Sequence, residues 1–394
     1  MKNLPLFLPI LIAMFLTRNV AAQAPHKITS DEKHIIHSEI IGADKEYWVH
    51  LPVNYNNSNQ RYPVLYITDG NEHFALASGT TDFMSSQYLI PELIVVSIFH
   101  KDRNHDLTPT HSTLDLNGFE SNAAKVSGGG EKLLDFIEKE LIPEIEGNYR
   151  TGPYRIFSGH SLGGLLSVYA YLTRNELFNT FFAMDPALTW DSNLCEHLLK
   201  NSNYTAADLN HRLYVSSAHN APYNKPDKSP FRLSQYAFFK VLKQKQIPNV
   251  KHEYFEINNH LTVPYPSFYK GLTFAFDGFY ILDDPDFNLD LSLIDSFYEK
   301  QSKKYGIAFK PSERLIEMFG KYFLFDLNDY DKSIEFFSHN TTLYPQSSRA
   351  FEYLAQACML AGRNDEAIQH YKKALKLDPE NAEIKSLLKT LHEN

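Results

Sequence analysis

Only two cysteines and two tryptophans occur in the 394 residues. Cys195 and Cys358 are too few for a disulfide framework or a zinc site of Cys/His type, and a chain of this length needs no cross-link, so both read as free and buried. Basic residues are also short: 38 Lys and Arg stand against 47 Asp and Glu, a formal charge of -9. No long basic run is present, which argues against a nucleic-acid partner. Nor is there a phosphate-cradling glycine loop, and neither a cofactor nor a metal is expected. The apolar stretch Leu4–Leu16 falls short of the ~20 residues a membrane span needs. It follows Lys2 and precedes Ala21, Ala22 and Ala24, the pattern of a secretory signal peptide over residues 1–22. Cleavage after Ala22 is expected, because Pro25 would follow the later site. With no cysteine behind the apolar run there is no sign of a lipid anchor. The mature chain is expected to be periplasmic or secreted and not membrane-bound.

What is present is an alternation of short apolar runs and amphipathic segments. "HIIHSEIIG" (34–42) and "EYWVHLPVNY" (46–55) read as antiparallel strands joined by a tight turn at Ala43-Asp44. Further strands are expected at 62–70, 92–100, 154–159, 180–185, 211–218 and 250–257, and helices at 130–149, 162–174, 229–245 and 267–280. Strands alternating with helices imply parallel crossovers, an α/β class with a mostly parallel sheet, and a ligand site at the carboxyl ends of the strands.

At one such end stands Gly159-His160-Ser161-Leu162-Gly163, followed by Gly164. It fits the G-x-S-x-G nucleophile elbow, with a strand before it and a helix after. Ser161 would be thrown into the open on a strained turn, and the Leu162 amide would face a developing oxyanion. The serine needs a base, and in this arrangement the acid and the histidine follow it in the chain. His260, in the loop after the strand 250–257, is best placed; His219, after the strand 211–218, is the rival. The acid is open between Asp227, the only carboxylate in the loop after that strand, and Asp185, directly after strand 180–184. A Ser-His pair oriented by an amide such as Asn220 is the third possibility. Gly70 or Asn71, after the strand 62–69, would give the second oxyanion amide. Arg103, Trp190 and His160 are the candidate substrate contacts, although Arg103 would equally brace its loop through Asp106 and Trp190 would equally be core.

"GHSLGGL", "YPVLYITDG", "DRNHDLTPTHS", "SGGGEKLLDFIEKELIPEIEGNYRT" and "HLTVPYPSFYKGLTFAF" resemble the esterase D-type "putative esterase" family, which includes the enterochelin (siderophore) esterases. The resemblance covers about residues 28–280. It implies an α/β-hydrolase fold over 28–282, with Ser161 as nucleophile and His260 as base. The family usually places its acid nearer the strand end than Asp227.

Residues 348–381 fit the 34-residue tetratricopeptide pattern, with Leu354, Ala355, Gly362, Ala367, Tyr371, Ala374 and Pro379 at its packing and punctuation positions. Pro345, Phe337 and Ser333 fall in the same phase one repeat earlier. Residues 283–394 are therefore expected as a small all-α domain, more a packing or dimerisation (self-association) appendage than a peptide- or protein-binding groove. The expected function is an exported serine hydrolase acting on a small-molecule carboxylic ester: a siderophore, an acylated sugar or a short-acyl ester. A peptidase on the same fold, or a binding protein using the repeats, are the alternatives.

Overall fold

The computed structural model describes residues 31–222, 225–283 and 289–393; the expected signal peptide lies outside them. Eight strands form one sheet: β1 (Glu32–Ser38), β2 (Ala43–His50), β3 (Tyr62–Ile67), β4 (Ile94–Ile98), β5 (Thr151–His160), β6 (Thr180–Met184), β7 (Arg212–Ala218) and β8 (Val250–Phe255). Their order is β1-β2-β4-β3-β5-β6-β7-β8. The β1–β2 and β2–β4 pairs are antiparallel and every other pair is parallel. The first hairpin does not turn at Ala43-Asp44, which are paired in β2 with Ser38 and His37. It turns at Gly42, whose φ of +75° suits glycine and whose amide donates to the Ser38 carbonyl at 2.8 Å.

The central strands are apolar along their whole length because each feeds two cores. Val64, Tyr66, Phe157, Phe181 and Val215 pack on one face. Leu65, Ile67, Ile156, Phe182 and Tyr214 pack on the other. Residues one apart on a strand point to opposite faces, so a parallel sheet covered on both sides shows no polar alternation.

Crossover helices supply the cover. α1 (Gly70–Ser86) follows β3. α2 runs through the abutting segments Gly130–Phe136, Ile137–Leu141 and Ile142–Asn148, the middle one a wide π turn. α3 (Leu162–Thr173), α4 (Trp190–Asn201), α5 (Pro230–Gln244) and α6 (Pro264–Ala275) complete the set. The sequence pattern assigns nothing to α1 or α4. On α1 the buried positions are Gly70, His73, Phe74, Ala77, Ser78, Thr81 and Met84. Their spacing is helical, but small and polar residues fill most of the face, so no apolar stripe shows. In α4, Asp191, Ser192 and Asn193 take left-handed φ values, which breaks the helical pattern at its start.

The tail is helical: α7 (Leu291–Tyr305), α8 (Glu313–Lys321), α9 (Tyr330–Leu343), α10 (Ser348–Leu360), α11 (Asn364–Leu377) and α12 (Ala382–Glu393). It divides by what it packs against. Phe297, Tyr305, Leu315, Phe319 and Phe336, from α7 to α9, join the core on the α1/α6 face of the sheet. Leu354, Ala355, Ala367, Tyr371 and Ala374, at the repeat positions of α10 and α11, form a separate cluster with Phe337 and Ile384. Cys195 and Cys358 are buried and unpaired.

Candidate active site

Ser161 sits between β5 and α3 with φ 58° and ψ -110°, a backbone state that an L-residue holds only at a cost of about 1–3 kcal/mol. Three hydrogen bonds fix it. Its amide donates to the Met184 carbonyl at 2.9 Å, and its carbonyl accepts from Leu165 at 2.9 Å and Ala187 at 3.0 Å. The glycines are a steric demand. A Cβ on Gly159 would meet the Gly163 backbone and Thr68, one on Gly163 would meet Thr68 and Asp69, and one on Gly164 would lie 3.0 Å from Pro186 Cα. A serine at a helix N-terminus ordinarily spends its hydroxyl on capping, but Ser161 makes no side-chain cap. Its Oγ is left for other work.

His260 follows β8 in a loop whose place is set from outside: its amide donates to Asn220 Oδ1 at 2.8 Å. Its ring lies 4.4 Å, centroid to centroid, from that of His160, the neighbour of Ser161, and meets Phe231 edge-on. Nδ1 donates to Asp185 Oδ2 at 2.7 Å. That fixes the tautomer with a lone pair on Nε2, the form a general base requires.

The acid that orients His260 is thus Asp185, and the expectation for Asp227 is corrected. Asp185 is fully buried directly after β6, with φ 40°. Its Oδ1 accepts from the Ala218 amide (3.1 Å), Arg232 Nη2 (3.1 Å) and Gln235 Nε2 (3.2 Å), and its Oδ2 also accepts from Asn220 Nδ2 at 3.2 Å. Burial alone would raise its pKa; the His260 hydrogen bond, the Arg232 charge and the Ala218 amide outweigh it and bring the carboxyl down to about 2. Asp227 holds the neighbouring loop instead. It accepts from the Asn220 amide at 3.1 Å and from the Ser229 amide and hydroxyl at 3.0 and 2.7 Å, and its Oδ2 lies 3.6 Å from Arg232 Nε. Arg232, fully buried, therefore stands between the two acids. Asp227 loses the role because nine residues of loop separate it from the strand end, whereas Asp185 leaves β6 beside the elbow. His219 pairs with the Tyr254 hydroxyl, away from this network.

A second clamp lies under the elbow. Asp69, buried at the end of β3, accepts from Arg103 Nε at 2.6 Å and from the His160 amide at 3.1 Å. Arg103 Nη2 donates to the His160 carbonyl at 2.8 Å. Burial would raise the Asp69 pKa, but the Arg103 charge and hydrogen bond hold it below the usual carboxylate range. Arg103 is thus braced on the elbow, and its carboxylate partner is Asp69, not Asp106. Asp106 is occupied by Lys45 (2.6 Å), His100 (2.8 Å) and His105 (3.0 Å). Trp190 is core, not pocket wall: it is 3% exposed and packs with the cluster beneath α4. His160 is also buried, and burial, with the charges of His260 and His73 against it, pushes its pKa down to about 3, so its ring is neutral.

The proposed oxyanion donors open two helices on adjacent strands. Leu162 begins α3 after β5, and Gly70 and Asn71 begin α1 after β3. The first amides of a helix have no acceptor within it, and the helix dipole adds positive potential there. A Cβ on Gly70 would lie 2.5 Å from Ser97 Oγ and 2.9 Å from the Ile98 carbonyl, which explains the glycine. The residues that sequence reasoning missed are Arg232, Gln235 and Asp69. All three act through partners more than thirty residues away in the chain, and only Asp69, at a strand end, carried a positional signal.

A family model described as "Putative esterase" matches residues 38–249. One described as a TPR repeat matches residues 355–388. Among curated proteins, ferri-bacillibactin esterase BesA of Bacillus subtilis (strain 168) is 29% identical over 176 residues, which cover 41% of this chain and 57% of that protein. The siderophore triacetylfusarinine C esterase of Aspergillus fumigatus is 29% identical over 140 residues, covering 34% of this chain and 46% of that protein. The chain thus spans about half the length of these relatives. Among solved structures, an IroE-like serine hydrolase from Shewanella oneidensis superposes with a TM-score of 0.65 at 26% identity, covering 80% of this chain and 100% of that one.

Proposed function

The chain belongs to the "Putative esterase" family, and from that premise we propose that it is an exported serine esterase. The reading rests above all on one contact, His260 Nδ1 to the buried Asp185 carboxylate at 2.7 Å, made beside a serine in a strained elbow. In this mechanism Ser161 Oγ attacks the ester carbonyl carbon while His260 Nε2 takes the hydroxyl proton. The Asp185 charge stabilises the imidazolium, and the amides of Leu162 and of Gly70 or Asn71 hold the oxyanion. Collapse breaks the acyl–oxygen bond, and the imidazolium protonates the leaving alcohol. Water, deprotonated by the same nitrogen, then attacks the acyl-enzyme and frees the acid and Ser161.

The substrate class is a small-molecule carboxylic ester. Leu261 and Tyr265, 80% and 72% exposed beside His260, give the rim an apolar character that suits an ester with an aromatic or alkyl portion. The named activities of the relatives favour a siderophore ester over an acylated sugar or a simple short-acyl ester. Residues 1–22 act as the export signal, so the mature protein starts at Gln23 and works in the periplasm or outside the cell. The helical tail serves chiefly as packing, since α7 to α9 share the core of the sheet.

The test is release of p-nitrophenol from acetate and butyrate esters by the mature protein, with Ser161→Ala alongside and p-nitroanilides as the peptidase control. Turnover of esters that disappears in the variant is expected. Absent turnover in the wild type, or turnover surviving in the variant, overturns the reading.

A further inference from the structure

Behind the His260 ring lies a cluster that the proposed mechanism does not use. His73, on the first turns of α1, meets His160 edge-on with ring centroids 5.4 Å apart. The two residues are 7% and 4% exposed. The Nε2 atoms of both are buried, and neither has a hydrogen-bond partner among the described residues. A buried imidazole nitrogen ordinarily finds a partner, because leaving it unsatisfied forfeits its hydration without return. Two such nitrogens on rings whose centroids lie 5.4 Å apart ask for a shared external partner.

A third ligand is at hand. Glu72 precedes His73, its carboxylate 4.0 Å from His73 Nε2 and its side chain well exposed. One ligand atom from each of Glu72, His73 and His160 falls within 4.8 Å of the others. Access exists as well: a hollow of about 520 Å³ is walled by Glu72, His73 and Leu76 from α1, by Leu261 and Thr262 from the loop that carries His260, and by Tyr265 from α6. Two imidazoles and one carboxylate are three donors of the kind a four-coordinate zinc-class ion takes. A hard cation such as Mg²⁺ or Ca²⁺ would prefer oxygen ligands.

We propose that Glu72, His73 and His160 form a binding site for a divalent transition-metal ion of the zinc class, and that occupancy of this site slows turnover. The second part follows from position. His160 lies 4.4 Å, ring to ring, from His260. An ion held there stands one imidazole from the base, and the ligands completing its shell fill the hollow walled by Leu261 and Tyr265, the rim an ester must pass. This part rests on His260 being the base; the metal site itself does not.

The experiment is therefore read in two ways on the whole mature protein. Cobalt titration followed by visible d–d absorption reports the site without any turnover. One equivalent should bind in the wild type, be displaced by zinc, and give no such bands in His73→Ala. Glu72→Gln changes an exposed residue and keeps the test open should His73→Ala not fold; it should weaken binding about tenfold or more. Zinc added to the p-nitrophenyl butyrate assay should slow the wild type reversibly, with a chelator restoring the rate. Glu72→Gln should need about tenfold more zinc for the same fractional loss, measured against its own zinc-free rate. No cobalt bands in the wild type, or bands unchanged in both variants, overturns the site. Binding that leaves ester turnover untouched overturns the inhibitory coupling and leaves the proposed esterase mechanism standing.

Discussion

The turn after β5 and the turn after β6 are neighbours in the sheet, yet they are built on opposite principles. The first is a steric construction. Ser161 is held at positive φ by glycines whose neighbours leave no room for a Cβ. The second is an electrostatic one. Asp185 is held charged in a fully buried position by Arg232, Gln235, Asn220, the Ala218 amide and His260. The residue types the first demands all lie within three positions of the serine, although groups at the ends of β3 and β6 crowd them, so it is written in one short motif. The second needs partners from β7, α5 and the loop after β8, and no short motif contains it.

Substitutions can break this contrast from either side. The largest expected effect is at the serine: Ser161→Ala should lower kcat by on the order of 10⁶ while leaving the melting temperature unchanged or raised, since the strained hydroxyl-bearing residue is not part of the core. Next comes the pair of acids. Asp185→Asn should reduce kcat by on the order of 10⁴ at neutral pH, because an amide cannot fix the base tautomer. It should also destabilise the fold by about 3–5 kcal/mol, since the buried Arg232 charge loses a partner. Asp227→Asn, which loosens only the loop around Asn220, should reduce kcat by less than about tenfold. Equal losses in the two variants would undo the assignment of Asp185.

A smaller effect is expected from the steric side. Gly163→Ala places a methyl against Thr68 and Asp69 and should destabilise by about 1–3 kcal/mol in urea unfolding. Acid should act on the electrostatic side. His160 titrates at about 3 in the folded chain and at its ordinary 6.5 when unfolded, so between these values only the unfolded chain binds the proton. Stability should fall as pH drops from about 6.5 towards 3, and His160→Asn should flatten that slope in urea midpoints measured from pH 7 to 4. Asp185 adds stability above its ordinary 3.8 that is lost only as pH falls through about 2, so it does not mask the effect. Least is expected from the tail's end. Deleting α10 to α12 removes a cluster separate from the sheet and should leave kcat nearly unchanged, whereas deletion from α7 onward strips the α1/α6 face and should abolish soluble expression.

The same contrast describes how far the sequence could be read. All eight strands stand where the sequence put them: the central ones because a strand buried on both faces is apolar along its length, β1 and β2 by alternation. The helix after the elbow and the tetratricopeptide positions of α10 and α11 were equally legible. α1 was not, for its buried face is largely Gly, Ala, Ser and Thr. The hairpin turn was misplaced because Gly42, not Ala43, supplies the positive φ. Among the candidate substrate contacts, Trp190 and His160 had the right neighbourhood and the wrong exposure, whereas Arg103, partly exposed, is engaged by Asp69 and the His160 carbonyl. A sequence gives position along the chain, but the side a residue faces at a crowded strand end depends on what other strands bring there.

By itself, then, the sequence determined the α/β alternation, the elbow at Ser161 and the histidine that follows the last strand, since each follows from local sterics or from a period set by the backbone. Tertiary structure alone decided that Asp185 rather than Asp227 orients His260, that Arg103 clamps Asp69, and that His73 and His160 meet with their Nε2 atoms lacking hydrogen-bond partners among the described residues. Those are relations between charges and lone pairs brought together from distant strands, and their energies exist only once folding has removed the water between them.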